Sequence, residues 1–570
     1  MRIAAIDIGT NSIHMVIARS TPAGFELADR EREVVQIGRG SFSGGRLRAD
    51  AIRRSVEALA RFVDLARRQQ VDRILCTATA AVREAKNGGS FIEAAREGAG
   101  ITPRVIPPEE EGRLIYLGVK SALRLDERPA LIVDIGGGST QLVVANRDQL
   151  IESRSMPLGA LRLTELFLES DPPSRRELLR LKRHVRRVAA GPLQTVEALE
   201  PRTVYGSSGS IHALAQLAHH EDQGQALPQL NGHILTRDSL ERLLRKLQHL
   251  SLPAREKLPG IDPRRAEILI PGAVVLAHVL EELDADGITI SDFGVREGLV
   301  MDYLASHSRE VRTLGEVEDL RLRSVLQLLQ KFQPEERHLK HARHVARLSL
   351  ALFDGLSTLH GEDGAAREIL HFAALLHDVG AVVGYDRHAE HSAYVIRNGS
   401  LRGLSASEIE MISIVARYHG KGRPRKKDRL VRALSGARRR TVRWLSALLR
   451  IAEGLDRSHY QLVQEVRVTR KQGRIGLRLT ARRGAGLELW AARRRLEPLE
   501  RLTRSKVTIS LKTSEPATRS RRPAATAPAA PALRRGRNGA APGSGRGPAE
   551  LRKPGRTPRP PAAASAPDRR

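Results

Sequence analysis

Twice before residue 300 the chain repeats one pattern: a short β-branched run ends on an aspartate, a Gly-rich turn follows, and a second β-branched run comes back. The first copy is Arg2-Ile-Ala-Ala-Ile-Asp7-Ile-Gly9-Thr10-Asn11-Ser12, followed by IHMVIA. The second is Leu131-Ile-Val-Asp134-Ile-Gly136-Gly137-Gly138-Ser139-Thr140, followed by QLVVAN. One such turn is an ordinary hairpin, but two in matching contexts predict a duplication. A fold built from two such halves sets its turns face to face across a cleft, where small ligands bind. Around the turns, short β-branched runs alternate with amphipathic helices, the pattern of an α/β fold.

Turns of this composition suit phosphate. Gly lets the backbone approach closely, so that consecutive N–H groups converge on an anion, and Ser and Thr hydroxyls add donors. Asp7 and Asp134 are candidate holders of Mg²⁺, which takes one or two carboxylates together with phosphate oxygens. The formal net charge of +30 favours a polyanionic substrate or partner without choosing among polyphosphate, nucleic acid and an anionic membrane. Cys76 is the only cysteine, so no intramolecular disulfide forms and a reducing compartment is expected. No signal peptide is recognisable, and the longest apolar run, Ile268 to Leu280, is too short to span a bilayer. A cytoplasmic protein without membrane contact is the expectation.

Five segments are predicted: two α/β halves, residues 1–125 and 126–305; an all-α domain, residues 315–460; a small strand-containing unit, residues 461–512; and a tail, residues 513–570. HARHVARLSLALFDGL, REILHFAALLHDVGAVV and VRWLSALLRIAEGLD carry helical spacing, whereas VQEVRVTR, RIGLRLTA and KVTISLK alternate. The tail, rich in Ala, Pro, Arg and Gly, lacks periodicity and is predicted to be disordered. It holds thirteen Lys and Arg against three acids, so much of the charge excess lies there. Nucleic-acid contact through it is conceivable on charge alone.

The two turns, with VVQIGRG (34–40), CTATAAVREAKNG (76–88), EEGRLIYLGV (110–119), YGSSGSIHAL (205–214), RRAEILIPGA (264–273) and SDFGVREGL (291–299), resemble the exopolyphosphatase and guanosine pentaphosphate phosphohydrolase (Ppx/GppA) family. The resemblance implies duplicated RNase H-like domains of the acetate kinase, sugar kinase, Hsp70 and actin superfamily. It implies Glu111 as the base that activates water, Arg83 beside the substrate phosphates, and a further ligand-facing loop at Gly209 and Ser210. Read from the residues alone, Glu109, Glu110 and Glu111 after Pro107-Pro108 also suit the N-terminus of a helix. Two departures stand out: Pro107-Pro108 replaces the family's usual Ser-Gly, and Gln141 stands where the family often has a metal-holding Glu, which predicts weaker metal binding or shifted waters.

In the helical domain, His341, His377-Asp378 and Glu453 are arranged like the HD phosphohydrolase signature, with His388, His391 and His419 nearby. Histidines and carboxylates converging from several helices make a di-metal site, so a second divalent metal is a candidate there. The usual final ligand is Asp, and Glu453 takes its position. In the resembling family this region is associated with gripping a long polyanion and with homodimers.

These readings converge on an exopolyphosphatase. The expected substrate is inorganic polyphosphate, and the resemblance implies water activated by Glu111, Mg²⁺ held by Asp134 with Asp7 nearby, and phosphates gripped by both turns and Arg83. Three alternatives remain open: guanosine pentaphosphate as the substrate of the same site, a non-catalytic polyanion-binding protein, and a kinase.

Overall fold

A computed structural model describes residues 1–21, 24–260, 262–307, 320–384, 386–399, 401–471 and 474–513. The tail predicted to be disordered, beyond Thr513, lies outside the described residues, as do positions 315–319 of the predicted helical domain.

Strand β1 (Arg2–Ile8) is apolar on both faces and is therefore central. Its odd and even side chains enter different cores: Ala4, Ile6 and Ile8 face one cluster, Ile3 and Ala5 another. It is flanked by β2 (Ser12–Thr21), β3 (Gly24–Val34), β4 (Arg73–Ala78) and β5 (Arg104–Val105), in the order β3-β2-β1-β4-β5. The first three strands are antiparallel neighbours, and β4 and β5 run parallel to β1. A second sheet contains β6 (Ala130–Ile135), β7 (Thr140–Ala145), β8 (Leu150–Met156), β9 (Thr203–Ser207), β10 (Ile234–Thr236) and β11 (Gly287–Ile290), in the order β10-β11-β9-β6-β7-β8. Read from β8 to β11 it repeats the first sheet strand for strand and direction for direction. The duplication seen in two turns thus extends through both sheets, and β10 is an added edge.

Two helices join the halves. Helix Pro108–Ala122 starts with proline in its first turn, where a missing N–H costs nothing, and with three glutamates that complement the dipole. Leu114 packs with Ile3 and Ala5 of the first sheet, whereas Ile115, Tyr116 and Val119 pack with Ile132 and Val143 of the second. Helix Val295–His307 follows the last strand of the second half but returns to the first sheet, burying Leu299, Val300 and Leu304 against Ile3, Ala5 and Val16. The first half is therefore completed by residues after 294, and a cut at residue 125 does not separate two cores. The two helices cross at small residues: a Cβ on Gly118 would lie 2.1 Å from the Gly294 carbonyl oxygen, and one on Gly298 would lie 1.9 Å from that of Leu114.

Beyond residue 320, helices Leu320–Phe332, Glu336–Gly355, Gly364–Leu376, His388–Asn398, Ala406–Arg417 and Gly436–Gly454 form the expected helical domain. Strands β12 (Val463–Lys471), β13 (Arg474–Ala481) and β14 (Val507–Thr513) follow, in that order in one sheet. Alternation buries Ile475, Leu477 and Leu479 in the same cluster as Leu445, Leu448 and Ile451 of the helices, so residues 461–512 share a core with the helical domain. Arg402 ties the two halves of the chain together: it pairs with Asp292 at 3.1 Å, its guanidinium lies 3.4 Å from the Phe293 ring centre, and Gly403 N–H donates to the Ala122 carbonyl at 3.2 Å. No helix among the described residues is long and apolar enough to cross a membrane.

Candidate active site

Strand register puts Asp7 and Asp134 on the sheet faces that the two linking helices cover. Asp7 shares parity with Ile3 and Ala5, Asp134 with Ala130 and Ile132, and those are the residues that meet the helices. The first turns of the same helices supply Glu111 and the pair Arg296-Glu297. A cleft of about 350 Å³ results, lined by Asp7, Asp134, Glu111 and both Gly-rich turns.

The turns have one geometry. Gly9 N–H donates to the Ser12 carbonyl at 3.1 Å, and Gly136 N–H to that of Ser139 at 2.9 Å. They also touch: a Cβ on Gly137 would sit 3.0 Å from the Asn11 nitrogen, and one on Gly138 would sit 2.5 Å from Thr10 Oγ1. Only glycine allows this approach. Gly9, Thr10, Asn11, Ser12, Gly136, Gly137, Gly138, Ser139, Gly209 and Ser210 all line the cleft. Thr140 does not; it is buried, and its hydroxyl donates to the Leu158 carbonyl at 2.8 Å, closing the turn from behind. Arg83 also stands outside the lining. Its Nη1 donates to Glu111 Oε2 at 3.1 Å and to the Ile106 carbonyl at 2.8 Å, so it holds the glutamate.

The carboxylates are held near neutrality. Burial raises Asp7 to about 7 against the pull of Arg296, with Asp134 and Glu297 adding to the rise. Burial likewise raises Glu111 to about 7, opposed by Arg83. Asp134 is raised to about 6 by burial, opposed by a hydrogen bond from Ser207 and by Arg296. Asp7 Oδ1 is buried with no hydrogen-bond partner. Three desolvated carboxylates facing one space, one with an orphaned oxygen, are a donor set that a hard divalent cation fits. Gln141 pairs with Asp134 in register but is not among the residues lining the cleft; its Nε2 donates to Ser155 Oγ at 3.0 Å and to Ser139 Oγ at 3.4 Å. Its Oε1 is buried without a partner.

Several cleft residues carry no signal of their own in the sequence. Arg265 is buried, lies against Gly209, and has an unpartnered Nε; burial and the neighbouring arginines lower it to about 9. Arg296 Nη1 donates to His14 Nδ1 at 3.3 Å. Arg32 lines the same wall, paired with Asp262. His212 Nε2 donates to the Ser291 carbonyl at 2.7 Å and stays neutral, lowered to about 4 by burial. Ser208 adopts φ 86 and ψ 154, a backbone region almost reserved for glycine, at the start of helix Gly209–Gln223, and its hydroxyl is buried without a partner. Such strain persists where surrounding packing enforces it, often at ligand sites. Arg265 and Arg296 do fall within motifs that carry the family resemblance, but an isolated arginine reads as a solvated charge.

In the helical domain, His341, His377 and Glu453 bring ligand atoms together, and so do Asp378, His388 and His419. His341 Nε2 lies 3.2 Å from Glu453 Oε2, and His377 Nε2 lies 3.5 Å from it. Asp378 Oδ2 is 3.7 Å from His377 Nε2, and its Oδ1 is 3.4 Å from His419 Nε2, so one carboxylate faces both triads. His377 and His419 donate from Nδ1 to the Ala374 and Ala416 carbonyls at 2.8 and 2.7 Å, which turns their Nε2 atoms inward. Nε2 of His341 and His377 and Oε2 of Glu453 are buried without hydrogen-bond partners. Burial opposes charge on His341, yet Asp456 and Glu453 raise it to about 9. Two residues enlarge the predicted set: Asp456 accepts from His341 Nδ1 at 2.8 Å, and His459 stacks on His341 with ring centres 3.6 Å apart. His391 joins neither triad; it lines a separate cavity with Tyr394 and Phe332.

Residues 16–307 match the Ppx/GppA phosphatase family, and residues 320–494 match Ppx/GppA phosphatase, domain III. An exopolyphosphatase from Cytophaga hutchinsonii is 25% identical with a TM-score of 0.51, the match covering 54% of this chain and 98% of that one. An exopolyphosphatase-like protein is 30% identical with a TM-score of 0.50, over 53% of this chain and 97% of its own. The Aquifex aeolicus Ppx/GppA family member is 29% identical, over 54% and 99%, with a TM-score of 0.47. Matched through both sheets, the linking helices and the helical domain, the chain belongs to the Ppx/GppA phosphatase family.

Proposed function

We propose that the first cleft hydrolyses the terminal phosphate of inorganic polyphosphate. The observation that carries this is Glu111: a buried carboxylate, held by Arg83, facing two Gly-rich turns that touch each other. Glu111 takes a proton from water as the water oxygen bonds to the terminal phosphorus, and the bridging P–O bond breaks toward the shortened chain. Phosphoryl transfer of this kind needs a placed nucleophile and a preorganised cationic surround more than covalent help. Amides of both turns donate to phosphate oxygens, and Arg265, Arg296 and Arg32 offset their charge. Asp7 and Asp134 would hold the divalent cation on which the family depends, Mg²⁺ by the hardness of the oxygen ligands, and it would supply charge neutralisation on the phosphates. The cleft shares Asp292 and Phe293 with a larger cavity of about 1100 Å³ whose wall includes Arg30, Lys331 and Arg402, which gives a long chain somewhere to continue.

Phosphate release from long-chain polyphosphate and from guanosine pentaphosphate, measured side by side, tests the substrate. Preferred turnover of the nucleotide would replace polyphosphate in this reading. Glu111→Gln abolishes release from either; retained release would remove Glu111 from the role of base.

A second reading concerns the helical domain. The two triads, with Asp378 of the second also facing His377 of the first and with the buried Nε2 atoms of His341 and His377 lacking partners, support a two-ion divalent site. Elemental analysis of the purified protein gives about two ions more than an Asp378→Asn variant; equal content overturns the site.

A further inference from the structure

Outside both sites, a cavity of about 340 Å³ opens among the segment around Gly422–Lys426, helix Gly436–Gly454 and helix Glu497–Thr503. Six cations line it: Arg423, Arg425, Lys426, Arg443, Arg450 and Arg501. No carboxylate is among its lining residues. Glu497 stands nearby and is taken by Arg501 and, at 3.9 Å, by Arg423. Asp428 is used by the Tyr418 hydroxyl and by its own cap on Leu430 N–H. Among the described residues no ion pair engages Arg425, Lys426 or Arg443. Arg450 is anchored through Nη1 to the Gly422 carbonyl at 2.5 Å, with its Nε buried and unpartnered. Cations gathered around one cavity repel each other unless an anion answers them. Apart from Ser446 and Gly422, the rest of the wall is apolar or aromatic: Tyr418, Pro424, Ala447, Pro498 and Leu502.

We propose that this cavity binds a phosphorylated nucleoside, its base against Tyr418, Pro498 and Leu502 and its phosphates among the six cations. A volume near 340 Å³ is that of a compact ligand site. Bare polyphosphate has no use for an apolar wall, and an extended nucleic acid could place little of itself in so small a cavity. Arginines supply forked donors that match phosphate oxygens, and an aromatic ring supplies a stacking face. The proposal is independent of the chemistry assigned to the first cleft.

The test is isothermal titration of the full-length protein with guanosine 5′-diphosphate and adenosine 5′-diphosphate. Pyrophosphate serves as the base-free control and a single-stranded DNA 15-mer as the polymer control. Arg443→Glu weakens nucleoside diphosphate binding at least tenfold and leaves phosphate release at the first cleft unchanged. Arg425→Glu, at an exposed loop position, does the same, and unaltered thermal midpoints show that both variants fold. Pyrophosphate binds at least tenfold more weakly than the nucleotides. Nucleotide binding that ignores both substitutions overturns the site. Pyrophosphate binding as tightly as the nucleotides reduces it to a phosphate site and overturns the nucleoside. A 15-mer that outcompetes both nucleotides makes it a nucleic-acid surface instead.

Discussion

Glu111 stands between two opposed influences: burial raises it to about 7, and the Arg83 guanidinium 3.1 Å away favours its charged form. Removing that cation raises the carboxyl further, so Arg83→Ala moves the acid limb of the kcat/KM profile for phosphate release to higher pH by about one unit. Activity falls about fivefold at neutral pH and returns in alkali, while Arg83→Lys restores most of it; a profile that only drops in height would leave Arg83 no electrostatic role. Asp7 at about 7, Asp134 at about 6 and Glu111 are all raised, so the fold favours their protonated forms. Their contribution to stability is present in full below the ordinary carboxylate range and is lost as pH climbs through 6 to 7. The metal-free protein therefore melts at a lower temperature at pH 8 than at pH 5, and Mg²⁺ raises the midpoint by about 4 °C or more at pH 8 and by less at pH 5. Equal stabilisation at both values would mean that the cation does not sit on these carboxylates. Both aspartates and Glu111 were legible in the sequence because they end or begin recognisable motifs. Arg265, Arg296 and Ser208 were not, since burial, a missing partner and a strained φ are properties of packing.

At the scale of elements, the duplicated strand–turn–strand was legible as pattern, and the structure extends it to every strand of the first sheet. Helix Pro108–Ala122 was equally plain from Pro107-Pro108 and three glutamates, although only the family resemblance, not the residue pattern, put its first turn on the cleft. The crossing of this helix with Val295–His307 was invisible, because two glycines in separate helices carry no mark of their meeting. Gly298→Ala would force a Cβ to 1.9 Å from the Leu114 carbonyl oxygen and part the helices. It destabilises by about 3 kcal/mol, read as a lower denaturation midpoint, and lowers phosphate release because Glu111 and Arg296 ride on those helices. A variant as stable and active as the parent would show that the crossing is looser than the backbone indicates.

Over the whole molecule, the helical domain and the strands after residue 461 share one core, so the alternation in RIGLRLTA predicted strands correctly but gave no hint of what they cover. The seven candidate ligands there separate into six that converge and His391, which does not. Sequence spacing cannot tell them apart when each is on or beside a helix. His377→Ala removes divalent ions from the helical domain and leaves polyphosphate hydrolysis within about threefold of the parent, given that mutations at distant, independent sites act separately. Loss of hydrolysis would move the chemistry to that domain. The returning helix Val295–His307 has a further consequence, for the order in which the protein can be made. Leu114 and the strands beneath it leave the ribosome long before Leu299, Val300 and Leu304, which complete their core. At about 5–20 residues per second, the inner face of the first sheet waits roughly ten to forty seconds for its cover. During synthesis the nascent first half is thus an open, sticky intermediate, and its safekeeping falls to whatever shields it until the last helix of the second half arrives.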